Sequence, residues 1–237
     1  YRCSYCLPNG YIEEAPRRFL DINEIRHLVT GFAELGLWKV RLTGGEPTVR
    51  KDFAQIAATV SAIPGIRKVA TTTNGYQLAK HAQLWRDAGI SAINVSIDSL
   101  DPANFQRITG MDHLPQVLKG LDAAEAAGFE DIKINTVLLK DLNHHELDNF
   151  LAFVKHRPIS LRFIELMETG DNRAYFEKHH LCASHITDAL KLRGWQPVAR
   201  AIAAGPAQEF SHPDYAGKIG LIAPYAKDFC QTCNRLR

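Results

Sequence analysis

The chain has 237 residues, of which 46% are hydrophobic and 23% charged, and its formal net charge is +2. This length is enough for one large α/β domain, and the composition is ordinary for a globular protein. So small a net charge gives no electrostatic case for binding nucleic acid or a membrane surface, and no apolar run reaches the ~18 residues of a membrane span.

Segments typical of strands and helices alternate along most of the chain. Two capping boxes, Asp21 with Glu24 and Asn143 with Glu146, mark the starts of helices, and the stretch between 166 and 184 is predicted as a loop. Regular alternation predicts a parallel sheet, because parallel neighbours need crossover helices. The predicted helices are 21–35, 52–63, 78–88, 102–108, 114–127, 143–155 and 184–192, and the predicted strands are 38–43, 68–73, 92–98, 131–139 and 159–166.

The pattern changes after Gly194. The segments 195–203, 209–210 and 218–222 are typical of short antiparallel strands, spaced by Gly and Pro. The sequence therefore predicts an α/β fold with a small antiparallel β extension at its C-terminal end.

Polar residues alternate with apolar ones in several predicted strands. Alternate residues of a strand face opposite sides, and the face that lies under helices must be apolar. The polar faces therefore point inward, where they leave room for a large anionic ligand; a buried network of polar residues that satisfy one another is the alternative. The inward set consists of Lys39, Arg41, Thr43, Asn94, Ser96, Asp98, Lys133, Asn135 and Arg162.

Four of the five cysteines form two C-x-x-C pairs, Cys3 with Cys6 and Cys230 with Cys233. They are too few for a disulfide scaffold and indicate metal ligation in a reducing compartment, so we expect a cytoplasmic protein. Thiolates suit iron–sulfur clusters or zinc, and an isolated pair could also be a redox dithiol. Cys182, the fifth, is interpreted as a partly buried small hydrophobe.

A glycine-rich turn, Thr43-Gly44-Gly45-Glu46-Pro47, follows the predicted strand 38–43. The glycines allow the backbone to approach a ligand closely, and Glu46 can accept a hydrogen bond from an ammonium group. An ordinary tight connection between a strand and a helix is the alternative.

Together, R-C-x-Y-C at the start and T-G-G-E-P resemble the radical S-adenosylmethionine (SAM) superfamily. The ending F-C-x-x-C-N-R-L-R is narrower and resembles the GTP 3',8-cyclases of molybdenum cofactor biosynthesis. The resemblance implies a partial (βα)6 TIM-like barrel at 1–194, whose first strand would precede Tyr1. It also implies a region at 195–237 that carries a second cluster and substrate contacts.

The same resemblance implies which residues bind the two clusters, SAM and GTP. Two [4Fe-4S] clusters would be held by Cys3 and Cys6 and by Cys230 and Cys233. The implied contacts of SAM are the backbone of Tyr5, Gly45, Ser96 and Met167. The implied contacts of GTP are Arg41, Thr72, Lys133, Arg235 and Arg237.

The implied reaction begins with reductive cleavage of SAM to methionine and a 5'-deoxyadenosyl radical. That radical takes the C3' hydrogen of GTP, and the substrate radical closes onto C8 of guanine. The implied product of the whole reaction, after uptake of one electron and one proton, is (8S)-3',8-cyclo-7,8-dihydroguanosine 5'-triphosphate. No residue is assigned as a catalytic acid or base. The implied partners are GTP, an electron donor and a downstream cyclic pyranopterin synthase, and the sequence leaves open whether the chain forms a homodimer.

The family's first cluster motif is C-x-x-x-C-x-x-C, so we expect its third cysteine two residues before Tyr1. The second cluster needs a third cysteine well beyond Cys233, and the sequence is expected to be a core fragment truncated inside both motifs. Two alternatives remain: a peptide-modifying radical SAM enzyme with an auxiliary cluster, and a non-enzymatic zinc-binding domain. The inward Lys and Arg residues and the N-R-L-R ending count against the first alternative.

Overall fold

The computed structural model describes residues 1–6, 18–199, 205–227 and 229. The predicted site residues Cys230, Cys233, Arg235 and Arg237 lie outside the described residues. The chain divides into two compact units. The first unit comprises Tyr1–Gly10, Ile97–Asp112 and Ile134–Arg237, and the second comprises Tyr11–Ser96 and His113–Lys133.

Helices and strands follow the predicted order, and most of their ends lie within four residues of the predicted ones. The strand predicted at 195–203 is described only at Gln196–Pro197, and part of that stretch lies outside the described residues. The helices are α1 (Ile22–Glu34), α2 (Phe53–Ser61), α3 (Leu78–Asp87), α4 (Pro102–Thr109), α5 (Leu114–Ala126), α6 (Leu147–Val154), α7 (Arg173–His179) and α8 (Ser184–Leu192). The strands are β1 (Lys39–Leu42), β2 (Lys68–Thr73), β3 (Ile90–Ser96), β4 (Asp131–Leu138), β5 (Ser160–Glu165), β6 (Gln196–Pro197), β7 (Gln208–Ser211) and β8 (Lys218–Ile222).

In the second unit, β1, β2 and β3 are parallel neighbours in that order. The capping box of α1 is confirmed, because Asp21 accepts from the backbone of Glu24 while Glu24 accepts from the backbone of Asp21. Helices α3 and α5 pack closely at Gly120, where a Cβ would lie 2.9 Å from the Cβ of Leu78. Glycine is therefore required there by helix packing.

In the first unit the strand order is β4-β5-β8-β7-β6. Strands β6 and β7 are antiparallel to their neighbours, as predicted, but β8 pairs with β5 in parallel. The prediction of an antiparallel β8 is therefore wrong for its pairing with β5. Gly217 allows the pairing, since a Cβ there would lie 2.7 Å from the carbonyl oxygen of Ile159.

Two local predictions are wrong. The segment predicted as a loop contains α7, a short helix supported by an ion pair between Arg173 and Glu177 one turn apart. Asn143 and Glu146 form no capping box, and α6 starts only at Leu147 after a short 3-10 turn. Both side chains instead bind other segments.

Glu146 joins its helix to the loop that precedes α4. It is 1% exposed, and its carboxylate accepts from the hydroxyl of Ser99 at 2.6 Å and from the backbone N–H of Leu100 at 2.8 Å. Asn143 accepts from the backbone of Leu139 at 2.8 Å and donates to the carbonyl oxygen of Asp98 at 2.6 Å. These buried hydrogen bonds hold the loops that follow β3 and β4.

We expect Glu146→Ala to lower the free energy of unfolding by about 3 kcal/mol, because it leaves buried donors without an acceptor. Urea denaturation measures the change. Glu177→Ala is the matched control, since its side chain is 63% exposed, and it should change stability by no more than about 0.5 kcal/mol. Equal losses in the two variants would show that Glu146 has no special structural role.

Candidate functional site

The first cysteine pair lies in a tight turn of the first unit. The backbone N–H of Cys6 donates to the carbonyl oxygen of Cys3 at 3.0 Å, which closes the turn. The N–H groups of Arg2 and Ser4 donate to carbonyl oxygens at the end of α4, each at 3.0 Å. Cys3 is half-buried and Cys6 exposed. Helix α4 therefore holds the backbone of this turn in place through its unpaired carbonyl groups.

Tyr5 anchors the same turn from within. Its hydroxyl donates to Oδ2 of Asp98 at 2.9 Å, and the backbone N–H of Val137 donates to Oδ1 of the same carboxylate at 2.8 Å. The ring of Tyr5 packs against a buried apolar cluster that includes Ile108 and Leu166. Leu166 directly precedes Met167, so Tyr5 and the segment that carries Met167 share one packed cluster.

Burial changes the acid–base properties of this turn. Burial, and after it the charge of Asp98, raises the pKa of the Cys3 thiol to about 12. Burial also raises the pKa of Asp98 to about 6 from its ordinary 3.8. A metal must therefore displace a proton from Cys3 when it binds. Within the described ranges, no three His, Cys, Asp or Glu side chains gather as a metal-binding set.

The glycine-rich turn of the second unit leaves space beside its backbone. No heavy atom lies within 4 Å of a Cβ placed on Gly44 or Gly45, and neither glycine has a positive φ. Backbone conformation thus does not require glycine here, and the missing side chains leave open volume. This space fits a ligand that approaches the backbone closely.

Glu46 braces that turn. Its carboxylate accepts from the hydroxyl of Thr73 at 2.8 Å, from the N–H of Asn74 at 2.6 Å and from the hydroxyl of Thr48 at 2.6 Å. The carboxylate fixes the turn to the end of β2 and already accepts several donors. The expectation that Glu46 accepts from a ligand's ammonium group remains a prediction.

Arg41 and Thr72 come together on one face of β1 and β2. The guanidinium of Arg41 donates to the hydroxyl of Thr72 at 3.1 Å and lies 3.4 Å from the carbonyl oxygen of Thr71. Both side chains are half-buried. The contact agrees with the strand parity deduced from the sequence and provides a cation beside a hydroxyl group.

Lys133 lies on the half-buried face of β4, where burial alternates residue by residue. Its ammonium group pairs with Asp131, whose other oxygen is 3.0 Å from Nζ of Lys68. Sequence reasoning missed Asp131 and Lys68 as members of this site. The signal for Asp131 was its position two residues before Lys133 on the same strand, but that alone did not reveal the partner on β2.

Two asparagine side chains have buried oxygens without a hydrogen-bond partner. They are Oδ1 of Asn94 on β3 and Oδ1 of Asn135 on β4. Since buried polar atoms are almost always satisfied, each oxygen can accept from a bound ligand. Both asparagines belong to the polar faces predicted from the sequence.

The remaining predicted contacts of SAM lie at the ends of strands. Ser96 ends β3 and is the one half-buried residue of an otherwise buried strand. Met167 follows β5 and is 52% exposed. Its carbonyl oxygen accepts from the amide of Asn172 at 3.0 Å, and the N–H of the next residue donates to the hydroxyl of Tyr225 at 2.8 Å. The backbone around Met167 is therefore held from two sides, which sequence reasoning did not foresee.

The first unit thus contains Cys3, Cys6, Tyr5 and Met167. The second unit contains the other predicted residues of the described chain, namely Arg41, Gly45, Thr72, Ser96 and Lys133. The role of each residue remains a prediction.

Comparisons with known families match both parts of the chain. The model of the Radical SAM superfamily matches residues 1–154, and the model of Molybdenum Cofactor Synthesis C matches residues 159–237. The GTP 3',8-cyclase of Klebsiella pneumoniae is 56% identical over 239 aligned residues, which cover 100% of this chain and 73% of that protein. The GTP 3',8-cyclase of Vibrio cholerae is also 56% identical, over 100% of this chain and 72% of that protein.

Solved structures share the fold at low sequence identity. SuiB of Streptococcus suis, solved with S-adenosylmethionine, has a TM-score of 0.60 at 17% identity over 81% of this chain and 45% of SuiB. The hydrogenase maturase HydG of Carboxydothermus hydrogenoformans has a TM-score of 0.53 at 17% identity over 70% of this chain and 42% of HydG. At this identity the likeness supports the predicted α/β fold alone.

The raised pKa of Asp98 predicts how stability depends on pH. Because the folded protein binds this proton more tightly than the unfolded chain, the group's contribution to stability is present below about pH 4 and is lost as the pH rises through about 6. In the protein before cluster reconstitution, Asp98→Asn should become more stable relative to the parent by about 3 kcal/mol between about pH 4 and about pH 8. Denaturant titrations across this range measure the difference. A stability difference between the two proteins that does not change with pH would show that folding does not raise the pKa of Asp98.

Proposed function

The chain belongs to the radical SAM superfamily and, within it, to the GTP 3',8-cyclase family, and from this premise we propose that it cyclises GTP between ribose C3' and guanine C8. This reaction is the first step of molybdenum cofactor biosynthesis. The observation that carries the proposal is the 56% identity over an alignment that covers 100% of this chain.

The residues of the first unit suit an iron–sulfur cluster. Cys3 and Cys6 supply thiolates from a turn whose backbone is held by α4 and whose Tyr5 is anchored on Asp98. The half-buried position of Cys3 and the exposed position of Cys6 leave that side of the turn accessible. When bound and reduced, a [4Fe-4S] cluster together with SAM supplies the radical that removes a hydrogen from the ribose.

The residues proposed to bind SAM are accessible within their own units. Gly45 provides open volume beside the backbone, and Ser96 and Met167 present accessible side chains at strand ends. The backbone of Met167 is fixed by Asn172 and Tyr225. Fixed neighbours matter here because positioning accounts for much of the rate in reactions of bound radicals and cofactors.

The proposed GTP contacts of the described chain are cationic or hydroxylic. A triphosphate carries about four negative charges and is bound by fixed cations and hydroxyl donors. Arg41 beside Thr72 and Lys133 beside Lys68 meet that need within the second unit. The unpartnered amide oxygens of Asn94 and Asn135 are acceptors that the N–H groups of a purine or an ammonium group could use.

Several further points belong to the proposal. The second cluster at Cys230 and Cys233, the boundary between 1–194 and 195–237, the electron donor, the downstream synthase and a homodimer all remain predictions. The family models meet between residues 154 and 159. Over the described residues, no helix is both long and apolar enough to cross a membrane, and a cytoplasmic location is proposed from the cysteine chemistry.

We expect Gly45→Val in the full-length enzyme to weaken SAM binding about ten- to a hundredfold, because the new side chain fills the space left for the ligand. Folding should be unaffected, since no atom lies within 4 Å of the added Cβ. Equilibrium binding of labelled SAM and the melting temperature are measured together. Gly170→Val is the control, because Gly170 also has open space around it; unchanged SAM affinity in Gly45→Val would contradict the assignment.

The substrate assignment is tested by quantifying 5'-deoxyadenosine and cyclised nucleotide in one reaction. Arg235→Ala with Arg237→Ala should still cleave SAM but should lose product, and GTP binding should weaken roughly a hundredfold or more because two charge-assisted contacts are lost. Lys133→Ala should also weaken GTP binding and lower the amount of product. Lys191→Ala, on the exposed face of α8, should change neither. Cys3→Ala should abolish both products.

A double arginine variant that makes cyclised nucleotide at the parent rate, with unchanged GTP affinity, would refute the role of the C-terminal motif. Loss of 5'-deoxyadenosine in Lys133→Ala as well as of product would place Lys133 with the cofactor and not with the substrate.

A further inference from the structure

Asp98 is a buried carboxylate without a cationic partner. Its side chain is 3% exposed, and its two hydrogen-bond donors are a phenol and a peptide group. No Lys, Arg or His of the described chain lies within ion-pair distance of it. A buried charge that is not compensated costs several kcal/mol, and groups of this kind cluster at functional sites.

The carboxylate is also immobile. Oδ2 accepts from Tyr5 and Oδ1 from Val137, while the backbone carbonyl oxygen of Asp98 accepts from Asn143 at 2.6 Å. Asn143 is itself held by the carbonyl oxygen of Val137 at 2.8 Å and by the N–H of Leu139 at 2.8 Å. Both oxygens of the Asp98 carboxylate therefore already accept hydrogen bonds. The side chain is poorly placed to bind a substrate or to transfer a proton to or from one.

This fixed carboxylate is one side chain away from the cysteine turn. Tyr5 lies between Cys3 and Cys6 in sequence, in the turn closed by the hydrogen bond from Cys6 to Cys3. The Asp98 carboxylate is therefore joined by one hydrogen bond, 2.9 Å long, to the residue that lies between the two thiols that would ligate iron.

We propose that Asp98 is a positioning residue that lowers the reduction potential of the cluster held by Cys3 and Cys6, through a fixed negative charge anchored on Tyr5. Adding an electron beside a negative charge in a medium of low dielectric constant is unfavourable, so the charge makes the cluster harder to reduce. A more negative potential makes the reduced cluster a stronger one-electron donor. The inference rests on the radical SAM cluster of the proposed function but not on GTP.

The charge predicts that only one of two conservative variants raises the reduction potential. Asp98→Asn keeps the size and an acceptor but removes the charge, so the potential should rise. Tyr5→Phe keeps the carboxylate but removes a hydrogen-bond donor that spreads its charge, so the potential should fall or stay at the parent value. A role in shaping the turn alone would move both variants in the same direction.

The test is an EPR-monitored redox titration of the full-length, anaerobically reconstituted enzyme at about pH 8.5, above the pKa of Asp98, without SAM or GTP. In Asp98→Asn we expect the equilibrium constant for reduction to rise about tenfold, which corresponds to about 59 mV for one electron. Asp214→Asn is the matched control, since its side chain is 77% exposed, and it should leave the potential unchanged. Iron content is measured in every variant.

An unchanged potential in Asp98→Asn would overturn the inference, as would a rise of similar size in Tyr5→Phe. If Asp98→Asn does not retain the cluster, Tyr5→Phe decides, and a raised potential in that variant overturns the inference. A parent enzyme that shows the cluster signal but makes no cyclised nucleotide would refute the proposed substrate instead, while the potentials would still decide the role of Asp98.

Discussion

The hydrogen bond from Tyr5 to Asp98 is the contact on which the first unit's site depends. A cysteine turn has few apolar groups of its own, so it must be held by hydrogen bonds to elements that are already packed. Tyr5 connects the turn to β4 through Asp98 and Val137, and its ring packs on the cluster that contains Leu166. One side chain thus anchors the turn that carries the thiols and packs beside the segment that carries Met167.

In the second unit, the glycine-rich turn is both held rigidly and open to its surroundings. Glu46 gives rigidity, because it joins the turn to Thr73 and Asn74 at the end of β2. Gly44 and Gly45 give openness, because no heavy atom lies near the positions of their missing Cβ atoms. The carboxylate of Glu46, predicted from the sequence to accept from a ligand, thus also holds the backbone of this turn in place.

Local patterns predicted most of the elements, because the strand period and helix caps depend on neighbours in sequence. The parity of β4 separated Lys133 from the apolar Ile132 and Ile134, and burial alternates accordingly; the capping box at Asp21 was also correct. The predicted capping box at Asn143 and Glu146 is absent for a tertiary reason. The side chains that suit a cap instead form hydrogen bonds with the loop after β3, which is distant in sequence. The direction of β8 likewise depends on β5, which no local pattern of five residues specifies.

The net charge of the whole chain does not reveal that cations gather locally on β1, β2 and β4. The whole chain carries only +2, yet β1, β2 and β4 of the second unit present Lys39, Arg41, Lys68 and Lys133, and Asp131 is the acid that pairs with two of them. One carboxylate between two lysines lowers their mutual repulsion enough for both to remain half-buried. In the same unit, the guanidinium of Arg41 lies beside the hydroxyl of Thr72. The proposed GTP site uses this local clustering, because a chain of phosphates is bound by several fixed cations and hydroxyl donors together.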